Sequence, residues 1–198
     1  MNFGRLMKIF TAPRDYWNEV LAEPGDIKSL LFPQMLLLAA LPAAASLIGG
    51  MLGFVRFGFS GTLIIAVLIQ AILSYAFGIG LWILLGVIIN GLAQPFGAQK
   101  DFEAAMKLAT GAVIPMWLGN VLYITSIGFL GMLGGLAGLG YGAYFLYLGM
   151  PVVNGTPQDK AVGYVAASIG IMFVASIVLG LMAGCPVACM MTRAAFRY

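Results

Sequence analysis

The chain has 198 residues, 62% hydrophobic and only 9% charged, where a water-facing domain carries about 25% charged residues. It cannot cover an aqueous surface and falls in the membrane class. Ten Lys/Arg against seven Asp/Glu leave a net charge of +3, too weak and too scattered to attract nucleic acid. There is no histidine, which removes the commonest metal ligand, general base and pH switch together. Two cysteines, Cys185 and Cys189, are too few for a Cys/His zinc site. No Ser/His/Asp set or phosphate-cradling glycine loop can be assembled, so the chain reads as non-enzymatic and no cofactor is implied.

In chain order, residues 1–29 form an amphipathic segment with no cleavable signal pattern. Phe3, Leu6, Met7 and Phe10 recur at helical spacing beside Arg5 and Lys8. Pro13 suits the first position of a second helix. That helix would put Tyr16, Trp17, Val20 and Leu21 on one side, with Arg14, Asp15, Asn18, Glu19 and Glu23 on the other. Pro24-Gly25 ends it. The expectation is a helix in the headgroup layer, aromatics at the interface and charges in water. It serves either as a partner- or membrane-sensing surface or as an anchor packed under the bundle.

A span needs roughly 20 apolar residues to cross a core about 30 Å thick. The first, 30–53, contains Pro42, which should kink rather than end it. The second, 62–92, is long: about 46 Å at 1.5 Å per residue. Either its Asn90 end projects past the hydrocarbon or Gly78 and Gly80 mark a bend. A polar loop, 94–103, precedes an apolar stretch whose one charge is Lys107. That stretch is too long for one crossing and must fold back, best at Thr125-Ser126-Ile127-Gly128, giving spans 105–125 and 129–150. Reading the turn as helix would reduce the count to four. The fifth span, 161–184, follows the polar stretch 154–160, and 185–198 is a short C-terminal tail. The expected fold is all-α: a polytopic membrane protein of five transmembrane helices, 30–184, behind an interfacial N-terminal helix.

Positive residues flanking the spans set orientation. An inside N-terminus gathers Arg5, Lys8, Arg14, Lys28, Lys100, Lys107 and Lys160 there, leaving Arg56, Arg193 and Arg197 outside. This favours a cytoplasmic N-terminus and an external C-terminus, in a bacterial inner membrane. Every acid falls on the inner side with them. Cys185 and Cys189 would then face outward, as a disulfide or as two free thiols, with Pro186 between them.

Ionisable groups inside a bilayer mark function by default, and here they are nearly absent. Lys107, one turn into the third span, can snorkel or pair with Asp101 or Glu103. Glycines crowd the fourth span: Gly131 with Gly135, and Gly134 with Gly138 and Gly142. Spacing of four strips one face and lets another backbone approach, so packing is preferred to a channel lining. Tyr141, Tyr144 and Tyr147 step toward its inner end as an interface belt or as donors to the loops below.

The stretch Tyr141-x-x-Tyr144-Phe145-Leu146-Tyr147-Leu148-Gly149-Met150-Pro151, then Pro157-x-x-Lys160-Ala161-x-Gly163-Tyr164, resembles the signature of the YIP (Ypt-interacting protein) family. Pro13-x-x-x-Trp17 with Glu23-Pro24, and Leu41-Pro42-Ala43, resemble its prokaryotic branch. The resemblance implies five spans and a cytoplasmic N-terminus. Eukaryotic relatives are trafficking factors that engage Rab-type GTPases and shape membranes. Their acidic Asp-Leu-Tyr-Gly-Pro motif is missing here, so the resemblance does not carry GTPase binding onto this chain.

Two functions are open. One is a membrane scaffold that binds a partner or lipid at its inner rim. The other is a small channel or transporter for an ion, such as a divalent cation, or a small solute. The rim residues are Glu19, Glu23, Asp101, Glu103, Lys107, Tyr144, Tyr147, Asp159 and Lys160, whose carboxylates would suit a hard cation. Expected partners are the lipid bilayer, a membrane or cytoplasmic protein, and a second copy of the chain as a homo-oligomer.

Overall fold

In a computed structural model of the chain, residues 3–22, 27–57 and 61–195 are described. They form seven α-helices: α1 Phe3–Thr11, α2 Pro13–Ala22, α3 Ile27–Phe57, α4 Gly61–Leu92, α5 Phe102–Gly119, α6 Gly128–Val153 and α7 Gln158–Ala195. A 3₁₀ segment, Asn120–Thr125, extends α5, and among the described residues there is no strand. Five helices are long and apolar enough to cross a membrane, over Gln34–Gly53, Ile64–Leu92, Phe102–Thr125, Gly128–Val153 and Gln158–Leu181. The protein is therefore a five-span integral membrane protein. Successive spans cross in opposite directions, so the N-terminal helices and the 93–101 and 154–157 loops, each separated by two crossings, share one end, here termed the rim.

The proline and glycine signals resolve individually. α3 runs through Pro42 and α4 through Gly78 and Gly80 without a break in the helix. The fold-back lies at the expected turn. Ser126 adopts a left-handed backbone (φ 59°), and Thr125 Oγ1 accepts from the Ile127 N–H at 3.3 Å while donating to the Leu122 carbonyl at 2.9 Å. At the other end, α7 continues to Ala195. The expected tail at 185–198 is thus helical as far as that residue, because one proline, Pro186, does not outweigh the apolar run around it. Cys185 and Cys189 lie on this stretch, with their side chains outside those described.

α5 is the central helix, packed on α3, α4 and α6, while α7 closes against α4 and, more sparsely, α6. Its contact with α6 is the closest in the bundle because small residues face each other. Gly131, Gly134, Gly138, Gly142 and Gly149 fall on one face of α6 at steps of three, four and seven, and all are buried. A Cβ at Gly134 would run into the Gly119 carbonyl, one at Gly142 into the Ala112 carbonyl, and one at Gly138 would stand 2.5 Å from the Pro115 oxygen. Gly135 lies on the same seam, where a Cβ would be 2.6 Å from Asn120 Oδ1. Backbone-on-backbone contact of this kind replaces the hydrophobic drive that lipid tails cannot supply.

One polar relay inside the bundle links α4 to α5. The Trp82 indole N–H donates to Thr110 Oγ1 at 3.1 Å, and that hydroxyl donates to the Met106 carbonyl at 2.8 Å.

Candidate functional site: the N-terminal rim

The N-terminal segment follows one of its two expected readings, that of an anchor packed against the bundle. It is two helices turned at Ala12, and α2 begins at Pro13, whose missing N–H costs nothing at a helix start. α2 packs onto α6. Trp17 is fully buried and Tyr16 nearly so. The Trp17 ring lies 4.7 Å from the Phe145 ring, and its N–H donates to the Phe145 carbonyl at 3.1 Å. The space for it exists because Gly111 and Gly149 lack side chains: a Cβ at either would fall 2.5 Å from a Trp17 ring atom. Leu21, expected on the same apolar side, is instead exposed, because the docked stripe is 16, 17 and 20.

α1 reaches further into the bundle. Tyr141 donates its hydroxyl to the Ile9 carbonyl at 2.6 Å and stacks on Phe10 at 5.2 Å. Tyr141 stands 12 residues before the end of α6, about 18 Å at helical rise, so α1 lies alongside the bundle rather than beneath it. Its Lys8 pairs with Glu19 of α2, which cancels one charge of each sign in this low-polarity setting.

The rim carboxylates are engaged locally rather than collected. Asp101 caps α5, its Oδ1 accepting from the Glu103 N–H at 2.8 Å. Glu103 pairs with Lys107 at 3.3 Å across one helical turn. Asp159 is exposed in the first turn of α7, where a negative charge suits the helix dipole. Glu23 lies outside the described residues. Among the described residues no group of three His, Cys, Asp or Glu side chains could hold a metal ion. Among the described residues the expected acidic entry site is not assembled, since Glu19, Asp101, Glu103 and Asp159 each serve a helix start or an ion pair.

Lys160 belongs to a knot between the two rim loops. Gly97 takes a positive φ of 74°, and a Cβ there would lie 3.7 Å from Lys160 Nζ. The Gln99 N–H donates to the Asn154 carbonyl at 3.0 Å, joining the loops, and Thr156 donates its hydroxyl to Asn154 Oδ1 at 2.6 Å. Phe96 lies flat on Tyr164 at 4.9 Å, and the Tyr164 hydroxyl donates to the Ile89 carbonyl. Gly163 leaves room for the Phe96 ring, a Cβ meeting it at 3.3 Å. The repeated Tyr/Gly/Pro/Lys pattern is thus largely the packing code of this knot.

Tyr144 is half exposed beside Tyr141, their rings 6.0 Å apart. Tyr147 lines a cleft of about 270 Å³ with Arg14, Asn18 and Gln158. Sequence reading passed over this cleft, because Arg14 and Asn18 lie on α2 while Tyr147 lies on α6 and Gln158 on α7. The one available signal was that Arg14 and Asn18 fall one turn apart on the polar side of α2.

The family model of the Yip1 domain matches residues 7–179. No curated protein and no solved structure matches the chain. The match covers most of the chain, from the docked N-terminal helices to the outer half of α7, so the chain belongs to the Yip1-domain family.

Proposed function

We propose that this Yip1-domain protein is a non-enzymatic membrane scaffold that binds a partner protein or lipid at its rim. On the positive-residue asymmetry, the rim faces the cytoplasm of a bacterial cell and the α7 end lies outside the inner membrane. The observation that carries the reading is the docking of α2. Trp17 in its glycine-walled slot, with Tyr141 holding α1, presents the N-terminal helices as a fixed surface. The glycine seam of α5 and α6 makes the frame that holds it.

A second reading, a small channel or transporter, is favoured by one observation. Asn90 Oδ1 on α4 and Ser168 Oγ on α7 are buried polar atoms with no hydrogen-bond partner. Against it stands the apolar cavity between α4, α5, α6 and α7, whose lining includes Leu85, Val113, Leu146 and Met172.

The deciding experiment reconstitutes the full chain in liposomes and follows Mg²⁺, Ca²⁺ and K⁺ entry. The scaffold reading expects rates equal to protein-free vesicles. Flux above that background, lost in Glu103→Gln or Asp159→Asn, overturns it in favour of transport.

A further inference from the structure

Three hollows line up along one side of the molecule. The first is the rim cleft, about 270 Å³, into which Arg14, Asn18, Tyr147 and Gln158 present polar groups. Tyr147 also lines the second, a groove between α6 and α7 walled by Val162, Val165, Ala166 and Phe173. Ala143, Ile169 and Phe173 border both this groove and a third, apolar cavity of about 140 Å³ against α5. Polarity falls in one direction, from the rim inward.

The dimensions and charges point to a single occupant. Tyr147 lies six residues before the end of α6, about 9 Å at helical rise, at the depth where tyrosines anchor to headgroups. From Val162 to Phe173 the groove runs about 16 Å along α7. That is one leaflet of a core about 30 Å thick. Arg14 is exposed, and among the described residues no acid pairs with it. Asp15 and Asp159 follow Arg14 and Gln158 in sequence but do not line the cleft. A guanidinium with a phenol and two amides offers only donors and neutral groups, which suits a phosphate oxyanion.

We propose that this hollow seats one anionic phospholipid of the rim-side leaflet, its phosphate at Arg14 and one acyl chain between α6 and α7. The proposal rests on the rim reading above and names the lipid ligand. α2 supplies the cation, so the seated lipid ties the docked N-terminal helices to α6 and α7, which otherwise touch each other sparsely. The weak α6–α7 seam is then a slot for a tail rather than a packing fault.

The test uses the full chain, stripped of lipid in detergent and offered phosphatidylglycerol, phosphatidylcholine or inorganic phosphate, with bound lipid counted by native mass spectrometry. The expected result is one phosphatidylglycerol retained per chain, about tenfold in preference to phosphatidylcholine, and no retention of inorganic phosphate. Arg14→Gln is expected to abolish the preference. Ala166→Trp, which fills the exposed groove, is expected to lower retention of both lipids about tenfold or more. Tyr147→Phe, which keeps the shared ring, should weaken binding about threefold. Retention unchanged in Arg14→Gln and Ala166→Trp overturns the seat, and equal binding of inorganic phosphate overturns the lipid assignment. A chain silent in the flux assay that still binds no phospholipid loses this seat and keeps the scaffold. Flux refutes the scaffold whichever lipids bind.

Discussion

Replacing Trp17 by alanine should release α1 and α2 from the bundle while leaving the five spans intact. The indole is fully buried, packs tilted against the Phe145 ring at 4.7 Å and donates to its carbonyl at 3.1 Å. Truncating a buried tryptophan costs about 3–5 kcal/mol. The slot walled by Gly111 and Gly149 belongs to two spanning helices held by the glycine seam, so it cannot collapse to fill the void. At 1.4 kcal/mol per decade, the docking equilibrium should move about a hundredfold to several-thousandfold toward the undocked state. Hydrogen exchange of the full chain in nanodiscs reads this directly. Amides of α2 should lose protection by that factor, while those of α5 and α6 keep theirs. Gly149→Leu should give the same local result from the opposite wall, since its side chain enters the space the indole occupies. If α2 amides in Trp17→Ala exchange as slowly as in the parent, the helices are held by something other than this slot and the reasoning fails.

Two further outcomes follow from the same geometry. Gly138→Leu should separate α5 from α6, because the new Cβ would stand 2.5 Å from the Pro115 oxygen; a loss of about 1–3 kcal/mol is expected, measured as a lower midpoint of thermal unfolding in detergent. At the rim knot, Phe96→Ala should cost more than Tyr164→Phe. The first removes a ring packed flat on Tyr164, and the second only one hydroxyl donation, about 0.5–1.5 kcal/mol. The reverse ranking in the same unfolding assay would mean that the Ile89 carbonyl, not the stacked pair, holds the loops.

Span number and span order were legible because hydrocarbon thickness sets a length that composition alone reveals. The reversal at 125–128 was legible too, since an apolar run of that length has to turn where Thr and Ser can hold loose backbone groups. The docking of α2 was legible only as one of two readings. Periodicity showed that Tyr16, Trp17 and Val20 share a face, but a face toward lipid and a face toward protein look alike when both surroundings are apolar. Only Gly111 and Gly149, remote in sequence from Trp17 and from each other, make the difference. The rim acids misled for a related reason. Topology carries them to one end of the bundle, yet Asp101 and Glu103 are consumed by a helix start and a one-turn ion pair. The cleft at Arg14 was passed over because its other walls come from α6 and α7.

The rim therefore works as a joint rather than as a bowl of carboxylates. The glycine seam brings α5 and α6 close together, and Trp17 fills the slot that Gly111 and Gly149 leave beside Phe145. Tyr141 then holds α1 by the Ile9 carbonyl, while the Ile9 side chain is buried in the core and Phe10 stacks on the Tyr141 ring. Any partner that grips the N-terminal helices in their docked form meets a surface whose angle to the bundle is fixed. A partner that required them extended would have to overcome the burial of Trp17. That energy is about the difference between micromolar and nanomolar binding. The same slot that makes the N-terminus a rigid surface thus biases recognition toward the docked state, and the depth of Trp17 sets how strongly.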